Sequence, residues 1–203
     1  GEVHQRDRLV PGVGHRLVRG GDKPRGQELR AQRNRHHPLD ELAAIVDGSG
    51  ILVLSDEVYE HMVYDGDQHQ TVASHDVLRN RSFVVSSFGK TYHATGWKTG
   101  YCVAPAPLMR EFRKVHKYLA FVAVTPIQCA LADFMATDPD YLSALAGFYQ
   151  QKRDVFCAGL ATSRFRFTPA QGTYFQLADY GLISDRDERD FCHYLTTEVG
   201  VAA

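Results

Sequence analysis

The sequence predicts an α/β fold, a mostly parallel sheet with flanking helices, on three observations. Ile51-Leu52-Val53-Leu54 runs apolar without alternation into Ser55-Asp56, the texture of a strand buried on both faces that ends at a polar site. Phe83-Val84-Val85 repeats that texture and runs into Ser86-Ser87-Phe88-Gly89-Lys90, a turn of hydroxyls and glycine around a lysine. Before and after these runs stand segments with apolar residues at helical spacing. In open α/β sheets ligands sit beyond the carboxyl ends of the strands, so Asp56 and the 87–90 turn are expected to face one crevice.

Residues 1–37 have neither helical nor strand periodicity; arginine and glycine are scattered through them, and Leu9-Val10 and Leu17-Val18 are the only apolar pairs. Together with Pro38 they are expected to form an atypical Arg/Gly-rich, irregular segment. Residues 38–47 read as a short helix with Leu39, Leu42, Ala43 and Val46 on one face, ended by Gly48-Ser49-Gly50. A strand over 51–55, a loop over 60–77 and a strand over 82–87 follow. After the lysine turn, residues 96–104 read as a returning strand, stopped by Pro105 and Pro107. Three helices come next. Leu108, Phe112, Val115, Leu119 and Val122 stripe the first, Ile127, Leu131 and Phe134 the second, and Leu142, Leu145, Phe148 or Tyr149, Val155 or Phe156, and Leu160 the third. These stripes are expected to be core, and Asp138-Pro139 is expected to cap the third helix. From Phe165 the texture becomes strand, turn, strand (165–167 and 173–177), and an amphipathic segment runs over 187–198.

Composition excludes several functions. Hydrophobic residues make up 44% and charged residues 23%, the balance of an ordinary globular protein. No apolar run approaches membrane-spanning length and no signal-peptide pattern opens the chain. Cys102, Cys129, Cys157 and Cys192 stand far apart, which favours a reducing cytoplasm over a disulfide framework. The ten histidines have no metal-ligand spacing, so no metal is expected. Residues 1–38 hold nine Lys and Arg against four Asp and Glu, of 23 and 24 in the chain, leaving 14 against 20 in the remainder. That basic arm has no aromatic residue to stack on bases, so no nucleic acid partner is expected.

Chemistry concentrates in two stretches. A lysine does amine chemistry only when its neutral form is accessible, and Lys98 is close enough in sequence to Lys90 to supply a neighbouring charge. A pyridine-ring cofactor needs an acid for its ring nitrogen, a lysine for its aldehyde and donors for its phosphate. Ser55-Asp56-Glu57-Val58-Tyr59-Glu60-His61 and residues 86–100, in that order, resemble the class I/II aminotransferases, pyridoxal-phosphate enzymes of fold type I, nearest the methionine and kynurenine aminotransferase subgroup. The resemblance continues through Tyr101-Cys102-Val103-Ala104-Pro105 and Gly172-Thr173-Tyr174-Phe175 and covers roughly residues 39–203.

The resemblance implies that residues 39–150 are the C-terminal part of a cofactor-binding large domain. Residues 151–203 would be an interdomain helix and the start of a small α+β domain. It implies pyridoxal 5'-phosphate as cofactor and Lys90 as the residue that forms the internal aldimine and shuttles the α-proton. Asp56 pairs with the pyridinium nitrogen, Tyr59 with the phenolic oxygen, and Ser87 and Lys98 with the phosphate; Gly172-Thr173-Tyr174 lies where relatives approach substrate. The resemblance further implies an amino acid and a 2-oxo acid as substrates, and a homodimer for the full-length family. Where relatives carry an asparagine-proline motif this chain reads Arg33-Asn34-Arg35-His36-His37-Pro38, so residues 1–38 are expected to be out-of-frame or foreign sequence joined to an aminotransferase fragment. The phosphate loop, the ring-stacking aromatic and the substrate-carboxylate arginine of the family fall outside the matched region. Two other readings stand beside the aminotransferase: a β-lyase or decarboxylase on the same fold, and a truncated, non-catalytic product.

Overall fold

The computed structural model describes residues 38–202, so the segment expected to be irregular falls outside the described residues except for Pro38. Pro38 opens helix α1, Pro38–Val46, where its missing N–H costs nothing. Asp40 and Glu41 place negative charge at the positive end of the helix. Ala43 and Val46 are buried and Leu39 and Leu42 partly so, against Val72, Leu78 and Val84. The face read from periodicity is therefore the face that packs.

Strand β1, Val53–Asp56, pairs in parallel with β2, Ser82–Ser87, so that Asp56 stands opposite Val85. Between them the chain makes a 3-10 turn at Val72–Ser74 and helix α2, Asp76–Arg79. Their starts are capped from the side chains, Thr71 accepting from the Ala73 N–H and His75 from that of Val77. Strand β3, Gly100–Val103, returns antiparallel on the other side of β2, with Ser87 opposite Gly100. Among the described residues the sheet is thus mixed, in the order β1-β2-β3, and the expected mostly parallel sheet is corrected to one parallel and one antiparallel pairing. The 88–99 connection is the reason. It folds as helix α3, Phe88–Thr91, and a 3-10 turn, Thr95–Trp97, with no helix laid across the sheet to carry the chain back for parallel pairing. The expectation that β1 is covered on both faces also fails among the described residues, since Leu54 is 72% exposed and Ile51 and Leu52 more than half.

Helices α4 (Ala106–Leu119), α5 (Thr125–Thr137) and α6 (Tyr141–Leu160) follow, the first two with proline in the first turn. Their stripes are core at only a few places. Leu131 and Leu145 are buried and Phe112 meets the Phe83 ring at 6.1 Å, whereas Val115, Leu119, Val122 and Val155 are exposed. Asp140 stands at the N-cap of α6 without a capping side-chain bond, and not the expected Asp138.

The strand-turn-strand expected after Phe165 is absent from the described residues. Two isolated bridges replace it, Arg166 with Asp179 and Val63 with Gly172. The amide of Gln176 accounts for the change: its oxygen accepts from the Ala170 N–H at 3.0 Å, and its nitrogen donates to the Thr168 and Leu177 carbonyls at 2.9 and 2.8 Å. A side chain thus takes up backbone groups that a strand ladder would have used. Helix α7, Glu188–Tyr194, starts at a true cap, Asp187 accepting from the Asp190 N–H at 2.9 Å. It packs Phe191 on Tyr180 with ring centres 4.4 Å apart, both rings nearly fully buried.

Candidate active site

Register places the chemistry at one end of the sheet. Asp56 ends β1, Ser87 ends β2 two residues beyond its Asp56 partner, and Gly100 opens β3 opposite Ser87, two residues after Lys98. Neighbouring strands lie about 4.8 Å apart, so three adjacent chain ends present acid, hydroxyl and lysines on one rim. Gly100 makes the rim this tight, since a Cβ there would stand 2.4 Å from the Ser86 carbonyl oxygen.

The 56–61 segment turns away from β1 with its acids divided between two surroundings. Glu57 is buried. It accepts from Ser55 Oγ at 3.0 Å and from the Val72 N–H at 3.1 Å, and lies 2.8 Å from His69 Nε2. Burial alone would raise its carboxyl, but these partners outweigh burial and hold it below the ordinary value. Glu60 accepts from Ser86 Oγ at 2.8 Å and from the Tyr101 hydroxyl. Burial, with this acceptor beside it, pushes the Tyr101 phenol up to about 12. These two acids pin the turn to the sheet, while Asp56 is exposed and its Oδ1 accepts from the Val58 N–H at 3.3 Å.

Lys90 sits in α3. Ser87 begins that helix, its Oγ accepting from the Gly89 N–H at 3.0 Å and donating to the Thr99 carbonyl at 3.4 Å. Gly89 permits the turn to close, because a Cβ there would meet Thr95 Cα at 2.9 Å. Helix α6 holds the turn from outside. The Tyr141 hydroxyl donates to the Thr91 carbonyl at 2.8 Å, and Tyr149 pairs with His93 Nε2 at 2.9 Å. Lys98, exposed and left-handed at φ 52°, closes the segment.

The third wall comes from far along the chain. The Val63–Gly172 bridge, with Tyr64 N–H to Gln171 carbonyl and Thr173 N–H to Met62 carbonyl both at 2.9 Å, lays residues 172–175 beside the 56–61 turn. Arg153 of α6 locks this arrangement. Its guanidinium, 9% exposed, donates to both Asp65 oxygens at 2.6 and 2.8 Å and to the Ala170 carbonyl at 2.8 Å, and lies 5.1 Å above the Tyr64 ring. Tyr174 is thereby brought against Tyr59, rings edge to face at 5.3 Å, and under Lys90, whose Nζ is 5.4 Å from the ring centre. Tyr174 is thus a shared neighbour of Lys90 and Tyr59. Burial, the neighbouring Tyr174 phenol and the nearby Asp56 charge together raise the Tyr59 phenol well above its ordinary value.

Of the residues singled out from sequence, Lys90 and Tyr59 both lie against the Tyr174 ring and Asp56 is within electrostatic reach of Tyr59. Ser87 and Lys98 bracket the lysine turn. A cleft of about 370 Å³ opens beside Lys90, lined by Gly89, Lys90, His93, Thr95, Tyr149 and Tyr174; Asp56, Ser87 and Lys98 lie outside that lining. His93 and Tyr149 are pocket residues that the motifs did not single out. His93 carries the one available signal, a histidine three residues after the lysine. Among the described residues no group of acids, histidines and cysteines could hold a metal ion, all four cysteines are free, and no helix is long and apolar enough to cross a membrane.

The comparisons with known proteins give this sheet and its lysine turn a family. The aminotransferase class I and II family matches residues 35–203. The methionine aminotransferase of Escherichia coli is 52% identical over 158 residues, covering 78% of this chain and 41% of that protein. The kynurenine–oxoglutarate transaminase of Dictyostelium discoideum is 32% identical over 197 residues, covering 83% of this chain and 45% of that protein. The crystal structure of an Escherichia coli protein described as having a methionine aminotransferase function superposes with a TM-score of 0.77 at 48% identity, covering 83% of this chain and 47% of that one. The chain belongs to the class I and II aminotransferase family, whose members generally use pyridoxal phosphate, and it spans less than half the length of these relatives.

Proposed function

We propose that this chain carries the lysine half-site of a pyridoxal-phosphate-dependent aminotransferase that moves an amino group between an amino acid of methionine, kynurenine or aromatic type and a 2-oxo acid. The observation that carries the reading is the meeting of Lys90 and Tyr59 at Tyr174, beside Asp56 and at the carboxyl rim of β1 and β2. The names of the similar proteins support the substrate class.

The donor set fits the cofactor, because acid, phenol, amine, hydroxyl and cation stand on adjoining chain ends, one for each polar feature of the molecule. When bound, pyridoxal phosphate supplies a ring that takes up the electron pair left at the substrate Cα. On this reading the Asp56 carboxylate keeps the proton on the ring nitrogen and the Tyr59 hydroxyl donates to the ring oxygen. Ser87 Oγ and the Lys98 ammonium hold the phosphate. Lys90 Nζ anchors the group and carries the proton to and from the substrate carbon. The reading also takes residues 39–150 as part of the large domain and 151–203 as the entry to the small one. It sets the protein in a reducing cytoplasm, consistent with four free cysteines, and pairs it with a second copy.

The test is the absorbance spectrum of the purified 203-residue chain mixed with pyridoxal phosphate, beside Lys90→Ala. The expected result is a protein-bound band in the wild-type chain that the substitution abolishes. Identical spectra would overturn the reading for this chain.

A further inference from the structure

The cleft beside Lys90 has a wall of rings drawn from three places in the chain. His93 follows α3, Tyr149 stands on α6, and Tyr174 belongs to the segment beyond α6. Their centres form a continuous series, His93 to Tyr149 at 5.9 Å and Tyr149 to Tyr174 at 5.9 Å. Phe148 backs the first pair, 6.2 Å from His93 and 5.1 Å from Tyr149. The lysine turn is bent to bring the histidine into this wall. His93 is left-handed at φ 54°, a conformation uncommon outside glycine that persists where surrounding contacts hold it. Here Tyr149 holds it, through the 2.9 Å bond between its hydroxyl and His93 Nε2. That bond pairs two polar atoms of the wall with each other and leaves the rings for apolar contact, and Tyr174 is still 42% exposed.

Two features decide what the cleft takes. Its lining shares only Lys90 with the five residues proposed for the cofactor, so it is space beside the reactive nitrogen that the cofactor's donors do not claim. Among the described lining residues Lys90 is also the one lysine or arginine, and there is no carboxylate. With Lys90 committed to the cofactor, an acidic side chain would lose water there without an ionic partner in the lining. A thioether or a ring would instead meet the faces and edges of three rings. The cleft's volume of about 370 Å³ is that of a small-molecule site. We infer that His93 and Tyr149, with Tyr174, form the side-chain subsite of the reaction and select an uncharged aromatic or thioether side chain over an acidic one. The inference rests on the reading of Lys90 as the anchor and deepens it, by naming the residues that choose the amino acid.

Two measurements on the whole chain test it. In the first, saturation-transfer NMR without cofactor is titrated with methionine, phenylalanine and glutamate. The methionine methyl and the phenylalanine ring should take up saturation, and glutamate should bind more weakly than either. His93→Asn suits the left-handed conformation and removes the ring. It should weaken methionine and phenylalanine roughly two- to ten-fold, the worth of one ring contact. Tyr149→Leu should do the same, and Tyr149→Phe, which keeps the ring, should lose less than Tyr149→Leu. Tyr118→Ala, at a ring outside the cleft and 85% exposed, should bind as wild type does. Glutamate binding as well as methionine, wild-type affinity in both His93→Asn and Tyr149→Leu, or equal losses in Tyr149→Phe and Tyr149→Leu each overturn the inference. In the second, Lys90 modified by pyridoxal phosphate is fixed with borohydride and located by mass spectrometry. Modification of Lys90 without selective NMR contacts overturns the inference and leaves the proposed function standing. No modification of Lys90 overturns the proposed function, and the inference falls with it.

Discussion

Alanine in place of glycine should act with opposite signs at two positions 25 residues apart. At Gly172 the new Cβ would stand 2.8 Å from the Met62 carbonyl oxygen. Carbon and oxygen settle at about 3.3 Å, so roughly 0.5 Å must be absorbed. The oxygen has no freedom to swing, because it already accepts from the Thr173 N–H at 2.9 Å. The strain has to open the two-bond bridge, at a cost of about 1 kcal/mol per hydrogen bond, or be spread into the packing at about 1–3 kcal/mol. Gly172→Ala should therefore destabilise by about 2 kcal/mol on the same grounds. At Gly147, inside α6, nothing lies within 4 Å of the added Cβ. Gly147→Ala should stabilise by about 0.5–1 kcal/mol, since glycine loses more backbone freedom than alanine in a helix. Urea unfolding followed by circular dichroism measures both. Midpoints that move the same way, or a Gly172→Ala chain within about 0.5 kcal/mol of wild type, would refute the close approach that places Tyr174 at the site.

Three further outcomes follow from named contacts. Glu57 has a folded-state carboxyl below its ordinary value of 4.5, so its stabilising contribution is complete above that pH and lost as pH falls through the depressed value. Glu57→Gln should be less stable than wild type by about 1–3 kcal/mol at neutral pH. The gap should narrow below pH 4.5 in urea titrations, and a pH-independent gap would contradict it. Arg153→Lys keeps the charge but loses the two-pronged grip on Asp65 and the bond to Ala170; it should unfold at lower urea by about 1–2 kcal/mol, discounted because Asp65 is 43% exposed. Leu119→Ser with Val122→Ser should leave stability within about 0.5 kcal/mol, since both side chains are more than 60% exposed. Sedimentation velocity should show less self-association in that double variant.

The motif residues were legible because each sits within a few positions of a strand end, and local pattern determines strand ends well. Asp56 closes an unbroken apolar run, and Ser87 and Lys90 follow another. Helix α1 was legible for a similar reason: its four apolar positions lie on one face and its partners are present in the chain. The longer helices obey the same periodicity, yet Leu119 is 82% exposed and Val155 76%. A stripe records that a face is suited to burial. It carries no information on which element covers it: in α4 Phe112 meets the Phe83 ring while Val115 and Leu119 stay exposed.

The remainder of the candidate site was not legible because it is assembled by contacts with no sequence period. Tyr149 meets His93 across 56 residues and Arg153 meets Asp65 across 88. Gln176 occupies backbone groups that strand propensity alone would assign to a ladder, so the alternation over 173–177 points to a strand where the chain is irregular. Irregularity has a consequence for chemistry. A strand would alternate its side chains between two faces, whereas here Thr173, at φ 64°, turns the chain so that Tyr174 and Phe175 both reach Tyr59. Two consecutive aromatic residues on one target require a break in the strand, and that break is what brings a phenol to Lys90.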